Sequence, residues 1–173
     1  MSIFKQTNSN MKRILLILPV LALLSLDSSY SKFPQVTVKD LAGKEVSTSS
    51  MNNGDKAFIV SLWATWCAPC KQELSAMAAK YEQWNKESSV KVYAISQDAA
   101  RSAGRVKPYV ENQKWPFEVL IDSEGKITKQ LGVNSIPHSL IVDKDGNILH
   151  EHSGYGPGDE DEMFKLLKEY NSK

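Results

Sequence analysis

Cys67 and Cys70 are the only two cysteines in a chain of 173 residues, and they lie in one short stretch, SLWATWCAPCKQE, at residues 61–73. Two cysteines permit a single intramolecular pairing. A bridge between them closes a very short ring, and because ring length sets how far a cross-link constrains the unfolded chain, it does little as a staple. Reversible thiol chemistry or metal ligation explains the pair better. At the first turn of a helix, positions three apart place their α-carbons about 5–6 Å from each other, a span a disulfide accepts without distortion. Pro69, between the cysteines, lacks an amide hydrogen, which is harmless in a first helical turn, and its fixed φ favours that turn. Cys67 then meets unsatisfied amides and the positive end of the helix dipole, which favour thiolate over thiol. Cys70, one turn deeper, keeps its proton until it resolves the mixed disulfide formed by Cys67. Trp66 reads either as an exposed part of an apolar landing site for a partner's cysteine or as a half-buried core residue. Trp63 belongs to the core.

The elements that must position this pair can be read around it. Residues 33–50 (FPQVTVKDLAGKEVSTSS) form two short strands about a turn at Gly43, an N-terminal hairpin. KAFIVSLW, residues 56–63, is mostly apolar and suits a central strand covered on both faces. Residues 72–86 carry Leu74, Met77, Ala78, Tyr81 and Trp84 at helical spacing, so the cysteines sit at a strand-to-helix junction. Residues 90–96 form a second strand, 99–113 a weaker helical pattern, FEVLID a third strand and EGKITKQLG a short helical turn closed by Gly132. SLIVDKDGNILHEH is a hairpin turning at Asp145-Gly146, with His150 and His152 on one solvated side. The last segment, 159–170, opens with four carboxylates and ends with Lys165 and Lys168, matching the helix dipole at both ends. The expected class is α/β: a mixed central sheet flanked by helices, with an N-terminal β-hairpin and a central helical/strand insert.

The chain is one domain's worth of sequence, with 42% hydrophobic and 24% charged residues, values ordinary for a globular protein. Its first 31 residues read differently. Lys12 and Arg13 precede the apolar run ILLILPVLALLSL, and small residues follow, the layout of a signal peptide or a short N-terminal membrane anchor. The apolar run falls short of the roughly 20 residues a spanning helix needs. Met11 is a plausible true start. Residues 32–173 then form the domain. From 21 basic and 20 acidic residues, removing Lys5, Lys12, Arg13 and Asp27 leaves 18 and 19, a formal charge of −1. With no Lys/Arg cluster, nothing points to nucleic acid as a partner.

The blocks VTVKDLAGKEVS, FIVSLWATWCAPCKQEL and VLIDSEGKITKQLGVNSIPHSLIVDKDGNI, with Gly154 after them, cover nearly all of residues 33–154. They resemble the thioredoxin superfamily, and more narrowly the TlpA/ResA-like exported thiol-disulfide oxidoreductases. The resemblance implies a thioredoxin fold in which Pro137 is cis and lies against the cysteine pair. By sequence alone, Pro137 only pushes Ile136 toward an extended conformation. In the family that bond exposes the preceding backbone to a substrate segment, so Trp66, Ala68, Pro69, Ile136, Pro137 and His138 carry over as the substrate groove. It also implies protein disulfides as substrates, periplasmic localisation, a reducing role and a membrane thiol electron donor. Apocytochrome c maturation, disulfide repair and a stress role all fit. No dissociable cofactor is needed.

Three positions are weighed separately. Ser61 stands where thioredoxins proper keep a buried Asp, and a hydroxyl cannot serve as that proton acceptor. Glu73, one turn beyond Cys70, is either a group that exchanges a proton with Cys70 and tunes its pKa, as in relatives, or a solvated helix glutamate. His138 either lies near Cys67, where an imidazolium stabilises the thiolate, or is an ordinary surface histidine. Of rival chemistries, peroxide reduction needs Thr or Ser three residues before the nucleophile and Pro seven before, and this chain has Ala64 and Val60. A Cu(I) metallochaperone using Cys67, Cys70 and His138 is the alternative from another class.

Overall fold

The computed structural model describes residues 31–172, so the leader expected over residues 1–31 lies outside it except for Ser31. Seven strands and four helices follow in the order β1 (Thr37–Asp40), β2 (Glu45–Ser47), β3 (Phe58–Trp63), α1 (Ala68–Ser88), β4 (Val92–Ser96), α2 (Val106–Gln113), β5 (Glu118–Ile121), α3 (Lys126–Leu131), β6 (His138–Val142), β7 (Ile148–Ser153) and α4 (Asp159–Asn171). They build one sheet in the order β2-β1-β5-β4-β3-β6-β7. β3, β4 and β5 run parallel, while β1 joins β5 antiparallel and β6 and β7 continue antiparallel from β3. The N-terminal hairpin is thus part of the sheet through β1, and the expected central insert contributes α2 and an interior strand.

Every residue of β3 is buried, as a run without alternation requires. Its side chains feed two cores in turn. Ile59 and Trp63 face α1, α2 and α4, packing with Leu74, Met77, Val110 and Leu167. Phe58, Val60 and Leu62 face the other way, toward Phe33, Met51, Ile127 and Leu140. α1 is held across α4 by Trp84 stacked on Phe164 at 4.6 Å, and by Lys80, which reaches Glu160 at 2.8 Å and Asp161 at 2.6 Å. Burial alone would raise the Glu160 carboxyl, but Lys80, the Gly158 amide and the Tyr155 hydroxyl outweigh it and hold the group at about 2.

Two boundaries differ most from expectation. α1 begins four residues early, at Ala68, because Cys67 caps it and Pro69 fits its first turn. The pattern over 99–113 becomes a 3₁₀ turn at Ala103–Arg105 running into α2. Pro108 has no amide hydrogen to donate, so it is tolerated in the first turn of α2 and would break a helix begun at Ala99. The β6–β7 turn closes as expected: the Asp143 carboxylate accepts from the amides of Asp145 and Asn147, and Gly146 takes φ +79°.

Candidate redox site

β3 delivers the chain to Ala64, and Thr65 after it is fastened to the segment that follows β4. The buried Asp98 carboxylate accepts from the Thr65 amide at 2.8 Å, the Thr65 hydroxyl at 2.7 Å and the Ser96 hydroxyl at 2.9 Å. The Gln97 amide donates to the Trp63 carbonyl at 2.7 Å. Cys67 follows in extended backbone (φ −86°, ψ 103°) as the N-cap of α1, and its Sγ accepts from the Cys70 amide at 3.3 Å. A thiolate at this position is stabilised by that amide and by the helix dipole, as the spacing leads one to expect.

Cys67 and Cys70 are joined as a disulfide with α-carbons 5.3 Å apart. Cys70 is 0% exposed and Cys67 5%. The order of access matches the expected division of roles, but Cys67 is more covered than an attacking sulfur at a helix tip suggests. In the oxidised pair its Sγ folds back over the Cys70 amide and sits 3.8 Å from the Ile136 carbonyl oxygen. With no proton on sulfur in this state, that approach is a van der Waals contact; a reduced Cys67 thiol would have an acceptor there. Trp66 is 66% exposed, which settles it as a surface residue, and Ala68 and Pro69 are exposed beside it. Trp63 is core, packed edge-on against Trp115.

Glu73 is not solvated: it is 2% exposed. Its Oε2 accepts from the Ser61 hydroxyl at 2.9 Å and its Oε1 from the Ser139 hydroxyl at 2.7 Å. Ser61 and Ser139 are direct partners in the antiparallel β3–β6 register, so both hydroxyls stand on the face that carries α1. Ser61 therefore acts as donor to a carboxylate supplied by the helix. Burial pushes the Glu73 carboxyl above its ordinary range, against the lowering effect of the Ser139 and Ser61 hydrogen bonds and the charge of His152. A carboxyl poised upward, on the same helix face as Cys70 one turn on, can hold or release a proton for that thiol.

The Ile136–Pro137 bond is cis, and the Pro137 carbonyl accepts from the Gly154 amide at 2.9 Å. Among the described residues neither backbone group of Ile136 is bonded to another backbone group. Ile136 is half-buried beside the cysteine sulfur, and Pro137 is buried.

His138 requires a correction, because neither expectation for it holds. It is 7% exposed, with Nδ1 2.7 Å from the Ser153 hydroxyl and Nε2 3.3 Å from the Glu151 carboxylate, too poorly aligned there for a hydrogen bond. Its register partner is Leu62, whose side chain lies in the second core, whereas the next residue, Ser139, reaches Glu73. Alternation along a strand puts His138 on the sheet face turned away from Glu73. Among the described residues no three His, Cys, Asp or Glu side chains come together to hold a metal ion, so Cys67, Cys70 and His138 do not make the copper site. His152 is not simply solvated either: Nε2 lies 3.0 Å from Asp159, and Ser139 is its cross-strand partner. The Gly156 amide, against some burial, and His152 hold the Asp159 carboxyl low. Asp98 and Ser139 were missed; an acidic residue two positions after the end of an apolar strand was the only available sign of the former.

The chain is similar in sequence and fold to known proteins. The model of the AhpC/TSA family matches residues 30–151. The thiol-disulfide oxidoreductase ResA of Bacillus thuringiensis subsp. konkukian is 33% identical over 140 residues, 81% of this chain and 75% of that protein. The solution structure of a thioredoxin-like protein from Porphyromonas gingivalis superposes with a TM-score of 0.72 at 38% identity, covering 83% of this chain and 94% of the other. A thiol:disulfide interchange protein of the thioredoxin family from Chlorobium tepidum TLS shares the fold, with a TM-score of 0.64 at 24% identity over 83% of this chain and 98% of that one.

Proposed function

Because the chain belongs to the AhpC/TSA family, and within it to the thioredoxin-like thiol-disulfide oxidoreductases, we propose that it reduces disulfides of exported proteins, with Cys67 attacking, Cys70 resolving and Glu73 handling the proton. The observation that carries this reading is a bonded cysteine pair at the N-terminus of α1 with a buried carboxyl one turn beneath it. In the first step the Cys67 thiolate attacks one sulfur of a substrate disulfide, that bond breaks, and the other substrate sulfur leaves as thiolate. Glu73 takes the proton from Cys70, whose thiolate attacks the Cys67 sulfur and expels the second substrate thiolate. The substrate gains two electrons and, from solvent, two protons; the protein is left with the Cys67–Cys70 disulfide. The two unpaired backbone groups of Ile136, beside Trp66 and the sulfur, support an extended substrate segment pairing there.

A membrane dithiol returns the pair to the reduced state by the same exchange run backwards. Export rests on the layout of residues 1–31, and among the described residues no helix is long and apolar enough to cross a membrane. Buried Ala64 and Val60, where peroxide reduction needs a hydroxyl and a proline, favour disulfide exchange over peroxide chemistry.

The test is trapping. Cys70→Ser, expressed with its leader, should accumulate mixed disulfides through Cys67 that dissolve on adding dithiothreitol and vanish in Cys67→Ser/Cys70→Ser. A folded Cys70→Ser protein that captures nothing and does not react with insulin disulfides would refute the mechanism.

A further inference from the structure

The surface on the two sides of Trp66 differs in charge. One cleft runs from Trp66 and Gln97 past Val133 to Ile136, beside the Cys67 sulfur, and its lining is uncharged. The other shares Trp66 and Gln97 and is lined further by Ala99, Arg101, Ser102 and Arg105. No carboxylate lines either cleft. Arg101 and Arg105 are exposed, and among the described residues neither guanidinium enters an ion pair or hydrogen bond. Two like charges in one short turn-and-3₁₀ segment repel each other, and no counter-charge offsets them. The concentration is local, since the whole chain has a formal charge of only +1.

From this we infer that Arg101 and Arg105 are a specificity arm of the substrate groove, selecting polypeptide disulfides with Asp or Glu within a few residues of the reacting cysteine. The inference deepens the proposed function and rests on it. A substrate segment paired with the Ile136 backbone lies in the cleft bounded by Trp66, and that cleft shares Trp66 and Gln97 with the one lined by the arginines. An extended chain advances about 3.3 Å per residue, so residues shortly before or after the reacting cysteine lie across Trp66, in reach of the arginines. The planar guanidinium forks pair with carboxylates in two-point geometry, and their field raises the encounter rate of acidic segments.

The experiment uses the reduced full domain and two synthetic peptides that differ only in bearing Asp or Lys at the positions flanking one cysteine. Each cysteine is held as a mixed disulfide with a coloured aryl thiol. The Cys67 thiolate attacks the peptide sulfur, the aryl thiolate leaves with the bonding pair, and Cys70 then frees the peptide. The rate of colour release is read as the Asp-to-Lys ratio within each protein, so any change in folding or thiol reactivity cancels. Neutral bis(2-hydroxyethyl) disulfide is measured in parallel. The expected ratio is about three to ten at low salt, falling toward one at 0.5 M salt as screening shortens the Debye length. It should invert in Arg101→Glu/Arg105→Glu and approach one in Arg101→Gln/Arg105→Gln. A ratio of one in the native protein, with the neutral disulfide reacting normally, overturns the arginine arm and leaves the exchange mechanism standing. No reaction with any of the three disulfides overturns both.

Discussion

Replacing Glu73 by Gln tests the buried carboxyl at the centre of the site. The amide keeps the shape and both contacts: its oxygen accepts from Ser139 and its nitrogen donates to the Ser61 oxygen, where Glu73 now accepts at 2.7 and 2.9 Å. What changes is the titration. Burial raises the carboxyl of folded Glu73 above the 4.5 of a free glutamate. Between those two values the folded state keeps a proton that the unfolded chain has released. Stability associated with that proton is complete below pH 4.5 and is lost as pH rises through the folded pKa. A one-proton difference gives a slope of at most about 1.4 kcal/mol per pH unit. Below pH 4.5 the native and Glu73→Gln proteins should therefore differ little, since both side chains are neutral. At higher pH the native protein should fall away, leaving the variant the more stable by pH 8. The assay is urea unfolding of both oxidised proteins at half-unit intervals from pH 4 to pH 8, read as the difference in free energy so that all other groups cancel. Curves that stay parallel across the range would refute a buried, upward-shifted Glu73.

Other expectations follow from the same geometry. In the reduced protein, Glu73→Gln should move the pH profile of Cys70 alkylation, and an unchanged profile would remove Glu73 from proton handling. Asp98→Ala, which removes the acceptor of two hydrogen bonds from Thr65 in the loop before Cys67 and of one from Ser96 at the end of β4, should lower stability by on the order of 2–4 kcal/mol in urea and slow insulin reduction. Lys80→Met should weaken the α1–α4 clamp by on the order of 1 kcal/mol at pH 7 in urea unfolding, since the Lys80 side chain is partly exposed and solvent screens the pair. Because Glu160 is held down at about 2, that stabilisation is complete above pH 4.5 and lost as pH falls through 2, so the deficit should disappear in acid. Reducing the disulfide releases only a four-residue ring, worth about 2 kcal/mol in chain-entropy terms; far-ultraviolet circular dichroism of the reduced protein should match the oxidised form at 25 °C.

The residues that position chemistry locally are legible in the sequence alone. Cys67, Pro69 and Cys70 announce a capped helix start and a closable pair because N-cap, first-turn proline and i to i+3 reach all act within four residues. Gly43 and Asp145-Gly146 mark their turns for the same reason, and α4 carries its acidic start and basic end in plain sequence order. The apolar run of β3 identified a strand covered on both faces.

That same absence of alternation hid which face each side chain takes. The fate of Glu73 depended on Ser61 and Ser139, twelve and sixty-six positions away, and that of His138 on its pairing with Leu62. Asp98 reaches back thirty-three positions to hold the loop before Cys67. Sequence by itself determined the chemistry available and the helix end that activates it, since those are properties of neighbouring residues. Tertiary structure alone decided which carboxyl is desolvated, which histidine is turned away and which sulfur is covered. Burial and strand register are set by distant segments meeting, and one step of register exchanges the two faces of a sheet.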